Sequence, residues 1–290
     1  MADRLETQEE EEEEHWEYRT LNLLQESKLD QKFAAVKLWK SGGTKHTKRW
    51  MRRPMAIPEL ILELQDEKMR EYALHCLSKY LLQNWEEERD NYYRTGFLLY
   101  NSCCTVTILL KELLVFYQNM VKGNVDGRSS RRVANVLTLL QSIAANSETR
   151  TKFITTLVPN FVLPLIQYEY PQVFENVRAV ALSVVGILCQ ARESLIIQWA
   201  IKSNMVEICW TSIEAGSELS QVIAMHILEA ILQDNEGLSY ICSPMCSHLL
   251  SKLMITWHHQ VEVLARDQDF SPRLLFHIIR CYVLLCNHAR

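Results

Sequence analysis

The chain runs to 290 residues, of which 48 % are apolar and 23 % charged, the balance of a globular protein rather than a fibrous or disordered one. Its 8 glycines and 7 prolines are under half of the roughly 12 % combined share of an average chain, which argues against a turn-rich sandwich, barrel or dinucleotide-binding sheet and for long helices with short joints. Thirty-one basic residues against 35 acidic ones leave a net charge of −4, a small total that conceals three blocks of different character.

Residues 1–30 hold eleven acidic and three basic side chains, with an unbroken glutamate run at 9–14. Residues 31–53 hold eight basic side chains and no acid, ending in Lys45, Lys48, Arg49, Arg52 and Arg53 around Trp50. Region 1–56 therefore reads as an acidic, then basic, largely disordered tail whose halves attract each other. Five cations around one aromatic also suit phosphate contact with base stacking, or an address for nuclear import. Inside the tail Leu21, Leu24, Leu29, Phe33 and Val36 recur at helical spacing, which predicts a short amphipathic helix.

From Ile57 onward the apolar pattern is helical nearly throughout, as in Tyr72, Leu74, Leu77, Tyr80 and Leu81, then in Val106, Leu109, Leu110, Leu113, Val115 and Phe116. The breaks carry helix-boundary chemistry. Residues 123–127 read as a loop, Gly216-Ser217 as a C-cap glycine followed by an N-cap serine, and Ser271-Pro272 as an N-cap before a proline at the first helical position. The longest uncharged runs, 153–168 and 179–191, fall short of the ~18 apolar residues of a membrane helix, so no membrane span is expected.

Three of these helices superpose in sequence. Residues 136–140 with Ile143, Asn146 and Glu148 match 181–185 with Leu188, Ala191 and Glu193 at an offset of 45, and these match 224–228 with Ile231, Asp234 and Glu236 at an offset of 43. Each is followed by a short apolar segment, at Phe153, Ile196 and Tyr240, and then by another helix. This period belongs to the armadillo/HEAT class, whose units bury their apolar faces only by stacking. The fold expected over 57–290 is an all-α, right-handed helical solenoid with helices 133–145, 177–190 and 220–233 side by side; an irregular helical bundle is the alternative.

Catalytic chemistry is not expected. A zinc site built from Cys242, Cys246, His248, His258 and His259, or from Cys281, Cys286 and His288, lacks paired Cys-x-x-Cys knuckles, and no cofactor is anticipated. No phosphate-cradling glycine loop, nucleophile elbow or metalloprotease signature occurs. His226 and His277 read as satisfied core or groove histidines, while Glu218, Glu229 and Glu236 read as helix-start or surface carboxylates. Nine cysteines, an odd number without a secretory apolar stretch ahead of them, suggest a reducing compartment and buried thiols.

Several runs carry a further signal: Met69-Arg70-Glu71-Tyr72-Ala73-Leu74; Arg132-Val133-Ala134-Asn135, continuing to Glu148-Thr149-Arg150 and Phe153; Gly216-Ser217-Glu218-Leu219-Ser220; Leu232-Gln233-Asp234 with Gly237-Leu238; and Arg273-Leu274-Leu275 with His277 and Arg280-Cys281-Tyr282. Over roughly 57–290 these resemble the required-for-cell-differentiation (Rcd-like) family, the armadillo-repeat subunit of the CCR–NOT deadenylase complex. The resemblance implies a non-catalytic adaptor in mRNA decay and translational repression, in cytoplasm and nucleus. It implies docking on the large NOT scaffold subunit, a groove and tryptophan-accepting pockets for repressor peptide motifs, single-stranded nucleic-acid binding and self-association as a homodimer.

Carried over residue by residue, the resemblance places the scaffold contact at Asn101, Cys103 and Thr107 and the peptide groove at Arg132, Asn135, Asn176, Ser183 and Ile223. Asn101 and Cys103 stand where the family shows His and Phe, and exchanging a phenyl ring for a thiol removes on the order of 1–3 kcal/mol of apolar burial. Asn176 and Ser183 stand for a tyrosine and a glycine, and Met245 and Ser247 for a tyrosine and an arginine. A divergent paralogue with a shifted partner set is the expectation. Two other readings are a nucleic-acid-binding module, using residues 45–53 with Arg132, Arg178, Arg273 and Arg280, and an importin-like carrier. The carrier would need groove tryptophans at repeated positions, and Trp199 and Trp210 fall outside the matched helices.

Overall fold

The computed structural model of the chain describes residues 56–83, 89–169, 175–266 and 272–288. The tail over 1–55, with its basic arm and amphipathic stretch, lies outside the described residues, as does Ser271. The described residues form fourteen α-helices and no strand: α1 (Ile57–Glu63), α2 (Arg70–Gln83), α3 (Arg89–Asn101), α4 (Thr105–Val121), α5 (Gly127–Ala145), α6 (Ser147–Thr155), α7 (Leu163–Gln167), α8 (Asn176–Gln190), α9 (Ser194–Lys202), α10 (Met205–Ala215), α11 (Glu218–Gln233), α12 (Asn235–Ile241), α13 (Ser247–Arg266) and α14 (Pro272–His288).

The expected triple repeat is present as long, short and third helices: α5-α6-α7, α8-α9-α10 and α11-α12-α13. Equivalent helices pack on one another in three rows. The long row runs α2, α5, α8, α11, α14; the short row runs α6, α9, α12; the third row runs α7, α10, α13. This is the all-α solenoid that the periodicity predicted. In the first unit the third helix shrinks to five residues behind the 3-10 turn Val158–Phe161, because Pro159 and Pro164 each remove a donor and block the preceding turn.

Local chemistry sets the joints. Asp126 accepts a hydrogen bond from Ser129 N at 2.7 Å while Ser129 Oγ accepts one from Asp126 N at 3.1 Å, a reciprocal cap that starts α5. Ser217 caps α11 by accepting from Ser220 N, after Gly216 ends α10. Asn146 Oδ1 accepts from Glu148 N and Thr149 N, and the equivalent Asp234 Oδ1 accepts from Glu236 N and Gly237 N. The middle unit has Ala191 at that position; there the chain turns through Arg192 at φ 51° into Glu193. Two glycines allow close backbone approach: a Cβ on Gly96 would sit 2.0 Å from Ser142 O, and one on Gly237 2.1 Å from Ile231 O.

Each row buries what its neighbours offer. Every residue from Val177 to Cys189 of α8 is buried, and each large apolar side chain so covered contributes about 1.5–3 kcal/mol. Trp199, Trp210 and Trp257 hold neighbouring units together. Trp199 Nε1 donates to Asn160 Oδ1 at 2.8 Å, Trp210 Nε1 donates to Thr256 Oγ1 at 3.0 Å, and fully buried Trp257 meets Tyr282 edge to face at 5.3 Å.

Replacing Asp234 with alanine leaves two first-turn N–H groups of α12 without their acceptor. The expected loss is about 1 kcal/mol, read in thermal denaturation as a melting point lower by roughly 2–4 °C.

Candidate docking surfaces

The residues assigned to scaffold docking come together at the corner where α3 meets α4 at 88°. Asn101 Nδ2 donates to Phe97 O at 2.8 Å and Ser102 Oγ to Leu98 O at 2.6 Å, satisfying the last carbonyls of α3. Cys104 then takes a left-handed conformation, φ 60°, at the start of α4, and Gln65 Nε2 donates to Cys103 O at 3.2 Å from the turn after α1. Asn101, Cys103, Cys104 and Thr107 are all exposed. Thr107 opens an outward stripe along α4 through Lys111, Leu114 and Gln118 at helical spacing, with Leu114 and Val115 about half exposed. Val115, which the apolar pattern assigns to the core side, faces outward beside this stripe because α5 covers only the opposite face of α4.

The groove residues fare differently. The repeat offsets put Asn135, Val180 and Ile223 in one register and Thr138, Ser183 and His226 in the next. Asn135 and Asn176 remain partly exposed. Ile223 is fully buried and Ser183 is 2 % exposed with its hydroxyl donating to Val180 O, so both lie beneath the floor of the long row. The cause is the packing of α8 against α11, which covers both residues.

Three of the four arginines read from the sequence as groove cations, Arg132, Arg178 and Arg280, are committed to carboxylates. Arg132 grips Glu112 through Nε at 2.5 Å and Nη2 at 3.0 Å and reaches Glu71 at 3.1 Å, while Arg70 joins Glu112 and Arg128 pairs with Glu71. The Arg128 hydrogen bond, with Arg132 alongside, holds the Glu71 carboxyl below its ordinary range. Arg178 is buried, bonding Glu175 at 3.0 Å and Tyr168 O at 2.7 Å. Arg150 caps α5 at Ala144 O and Ala145 O and crosses to Glu193 of the next unit. Arg273 is partly exposed.

Glu229 overturns its reading as a surface carboxylate. It is 4 % exposed and accepts from His277 Nδ1 at 2.6 Å, Arg280 Nε at 2.8 Å and Gln233 Nε2 at 3.2 Å. This network ties α11 to α14 and confirms His277 as a satisfied core histidine. The overlooked signal was a carboxylate inside the uninterrupted apolar run of residues 227–232. The ring of His226 stands 5.8 Å from that of His277, and burial first, then His277, Arg280 and Arg192, holds its pKa well below 6.5.

Among the described residues no group of three or more His, Cys, Asp or Glu side chains gathers to hold a metal, and no single helix is long and apolar enough to cross a membrane. Of the thiols expected to be buried, Cys189, Cys209, Cys246 and Cys281 are; Cys103, Cys104 and Cys286 are exposed because they sit at a corner and on the outer face of α14.

Two outcomes test this electrostatic layout by urea denaturation. Glu229→Ala strands Arg280 and His277 and costs about 3 kcal/mol, the lower end for a broken buried pair, since Arg280 keeps 33 % of its side chain in solvent. The unfolded chain takes up a proton at His226 near pH 6.5, whereas the folded chain refuses it until well below. Stability is therefore full above that pH and falls as the pH drops, and His226→Gln flattens the profile between about pH 7.5 and about pH 5.5.

With this geometry in view, comparison with known proteins is direct. Residues 60–290 match the cell differentiation family, Rcd1-like. The chain is 31 % identical over 243 residues to the "Cell differentiation protein rcd1" of Schizosaccharomyces pombe, covering 82 % of this chain and 80 % of that protein. It is also 31 % identical over 203 residues to "Protein CAF40" of Saccharomyces cerevisiae, covering 69 % of this chain and 53 % of that one. Family match and identity span the same helical solenoid: the chain belongs to the Rcd1-like cell differentiation family.

Proposed function

We propose that the chain is a non-catalytic adaptor subunit of the CCR–NOT complex, acting in cytoplasm and nucleus in mRNA deadenylation, decay and translational repression. Family membership over residues 60–290 carries this reading. It docks on the large NOT scaffold subunit through the α3-α4 corner, with Asn101, Cys103 and Thr107 presented together and the half-exposed Leu114 and Val115 supplying apolar area beside them. An amphipathic scaffold helix laid along α4 would find apolar and polar positions at its own spacing. The long row offers repressor peptide motifs a second surface at the partly exposed Asn135 and Asn176. Homodimer formation through the apolar outer face of α14, at Phe276, Ile279 and Val283, belongs to the same reading, since these side chains are about half exposed at the end of the row.

The runner-up, a single-stranded nucleic-acid module acting outside the complex, rests on the arm at Lys45, Lys48, Arg49, Arg52 and Arg53. The body favours the adaptor, because Arg132, Arg178 and Arg280 already hold carboxylates and have little charge left for phosphate.

Calorimetry of the full chain against the helical segment of the NOT scaffold, at about 50 and about 200 mM salt, separates the two. Binding that hardly responds to salt is expected. Thr107→Arg should weaken it at least about tenfold without lowering the melting point, since Thr107 is exposed. Absence of binding would overturn the adaptor reading, and steeply salt-dependent binding to single-stranded RNA would put the runner-up in its place.

A further inference from the structure

Among the described cysteines, two stand next to each other in the chain, in solvent and within reach of each other. The Cys103 and Cys104 sulfurs are 3.5 Å apart and share a hydrogen bond, and both residues are exposed. The backbone between them is the corner itself: Cys104 is left-handed at φ 60°, and its side chain makes no capping bond to α4. We propose that Cys103 and Cys104 form a reversible redox site, closing to a vicinal disulfide by exchange with a small-molecule disulfide of the glutathione type and reopening with the corresponding thiol.

The exchange balances without a further reagent. One thiolate of the pair attacks a sulfur of the small disulfide, forming a mixed disulfide and expelling one small thiolate. The neighbouring thiolate attacks the protein-bound sulfur of that mixed disulfide, forming the Cys103–Cys104 bond and expelling the second small thiolate. The two protons lost by the cysteines pass to the two leaving thiolates through solvent, so that two protein thiols are oxidised and one small disulfide is reduced. Closure needs the sulfurs to move from 3.5 Å to about 2.05 Å, a shift within reach of χ1 rotation in open solvent.

Geometry also makes the bond labile. Adjacent Cα atoms lie about 3.8 Å apart, short of the roughly 4.4–6.8 Å that an unstrained disulfide spans. A strained and exposed disulfide is readily reduced, which is the behaviour of a switch rather than of a structural staple. Because the ring takes in the Cys103–Cys104 peptide within the turn joining α3 to α4, closing it stiffens and re-aims the segment between Asn101 and Thr107. That consequence for docking rests on the adaptor reading above; the exchange does not.

The full chain, equilibrated in glutathione buffers of increasing disulfide content, acid-quenched and proteolysed, reads out the site by mass. The segment holding Cys103 and Cys104 is expected to lose two hydrogens, while exposed, solitary Cys286 takes up one glutathione. Cys103→Ser and Cys104→Ser are each expected to convert the remaining thiol into a stable glutathione adduct. Accumulation of glutathione on the wild-type pair with no two-hydrogen loss would overturn the proposal, as would a two-hydrogen loss that persists in both serine variants. In parallel, the oxidised chain should bind the scaffold helix at least about tenfold more weakly than the reduced chain. Equal affinities would overturn the gating while the mass change still stands, and a reduced chain that does not bind at all marks failure of the adaptor reading instead.

Discussion

The structure depends on the burial of a long helix on both flanks at once. α8 has α5 on one side and α11 on the other, with α7 and α9 covering it further, and from Val177 to Cys189 nothing on it reaches solvent to any extent. A helix so placed cannot be amphipathic in the ordinary sense. Its few polar groups must find partners inside the row, as Ser183 does at Val180 O and Arg178 at Glu175 and Tyr168 O. Among the described helices α14 packs against α11 in the long row, and it leaves Phe276, Ile279 and Val283 about half exposed.

The same constraint decides where charge goes. Residues that cross between rows or between units tend to do so as arginine–carboxylate pairs: Arg132 and Arg70 with Glu112, Arg150 with Glu193, Arg280 with Glu229. A carboxylate buried beside a guanidinium and hydrogen-bonded on both oxygens fixes the register of two helices, and losing one partner leaves the other uncompensated. The cost is functional. Cations tied up in this way are poor ligands for phosphate, in keeping with the proposed use of apolar and hydrogen-bonding surfaces at the α3-α4 corner.

That corner is one of the places among the described residues where the backbone leaves the helical conformation. α3 ends with side chains bonding its own last carbonyls, Cys104 adopts a left-handed turn, and α4 departs at a near right angle. Exposure there follows from geometry: a sharp corner presents its residues outward, and among the described residues Asn101, Cys103, Cys104 and Thr107 stay exposed. The proposed docking and the proposed thiol exchange fall on the same residues because both need accessible side chains on a rigid support.

The repeat, the joints and the helix class are encoded locally in the chain. These rest on interactions over a few residues, such as the apolar period, the caps at Asp126, Asn146, Ser217 and Asp234, and the prolines that shorten α7. The resemblance pointed to Asn101, Cys103 and Thr107, and the fold brings all three to one exposed corner. It takes the stacking of the units to put Ile223 and Ser183 under the surface, to make Glu229 interior, and to pair Arg132, Arg178 and Arg280 with carboxylates. Glu71 and Arg132 are separated by 61 positions, Glu229 and His277 by 48. Whether such charges meet or face water depends on how neighbouring units stack, which no local pattern encodes.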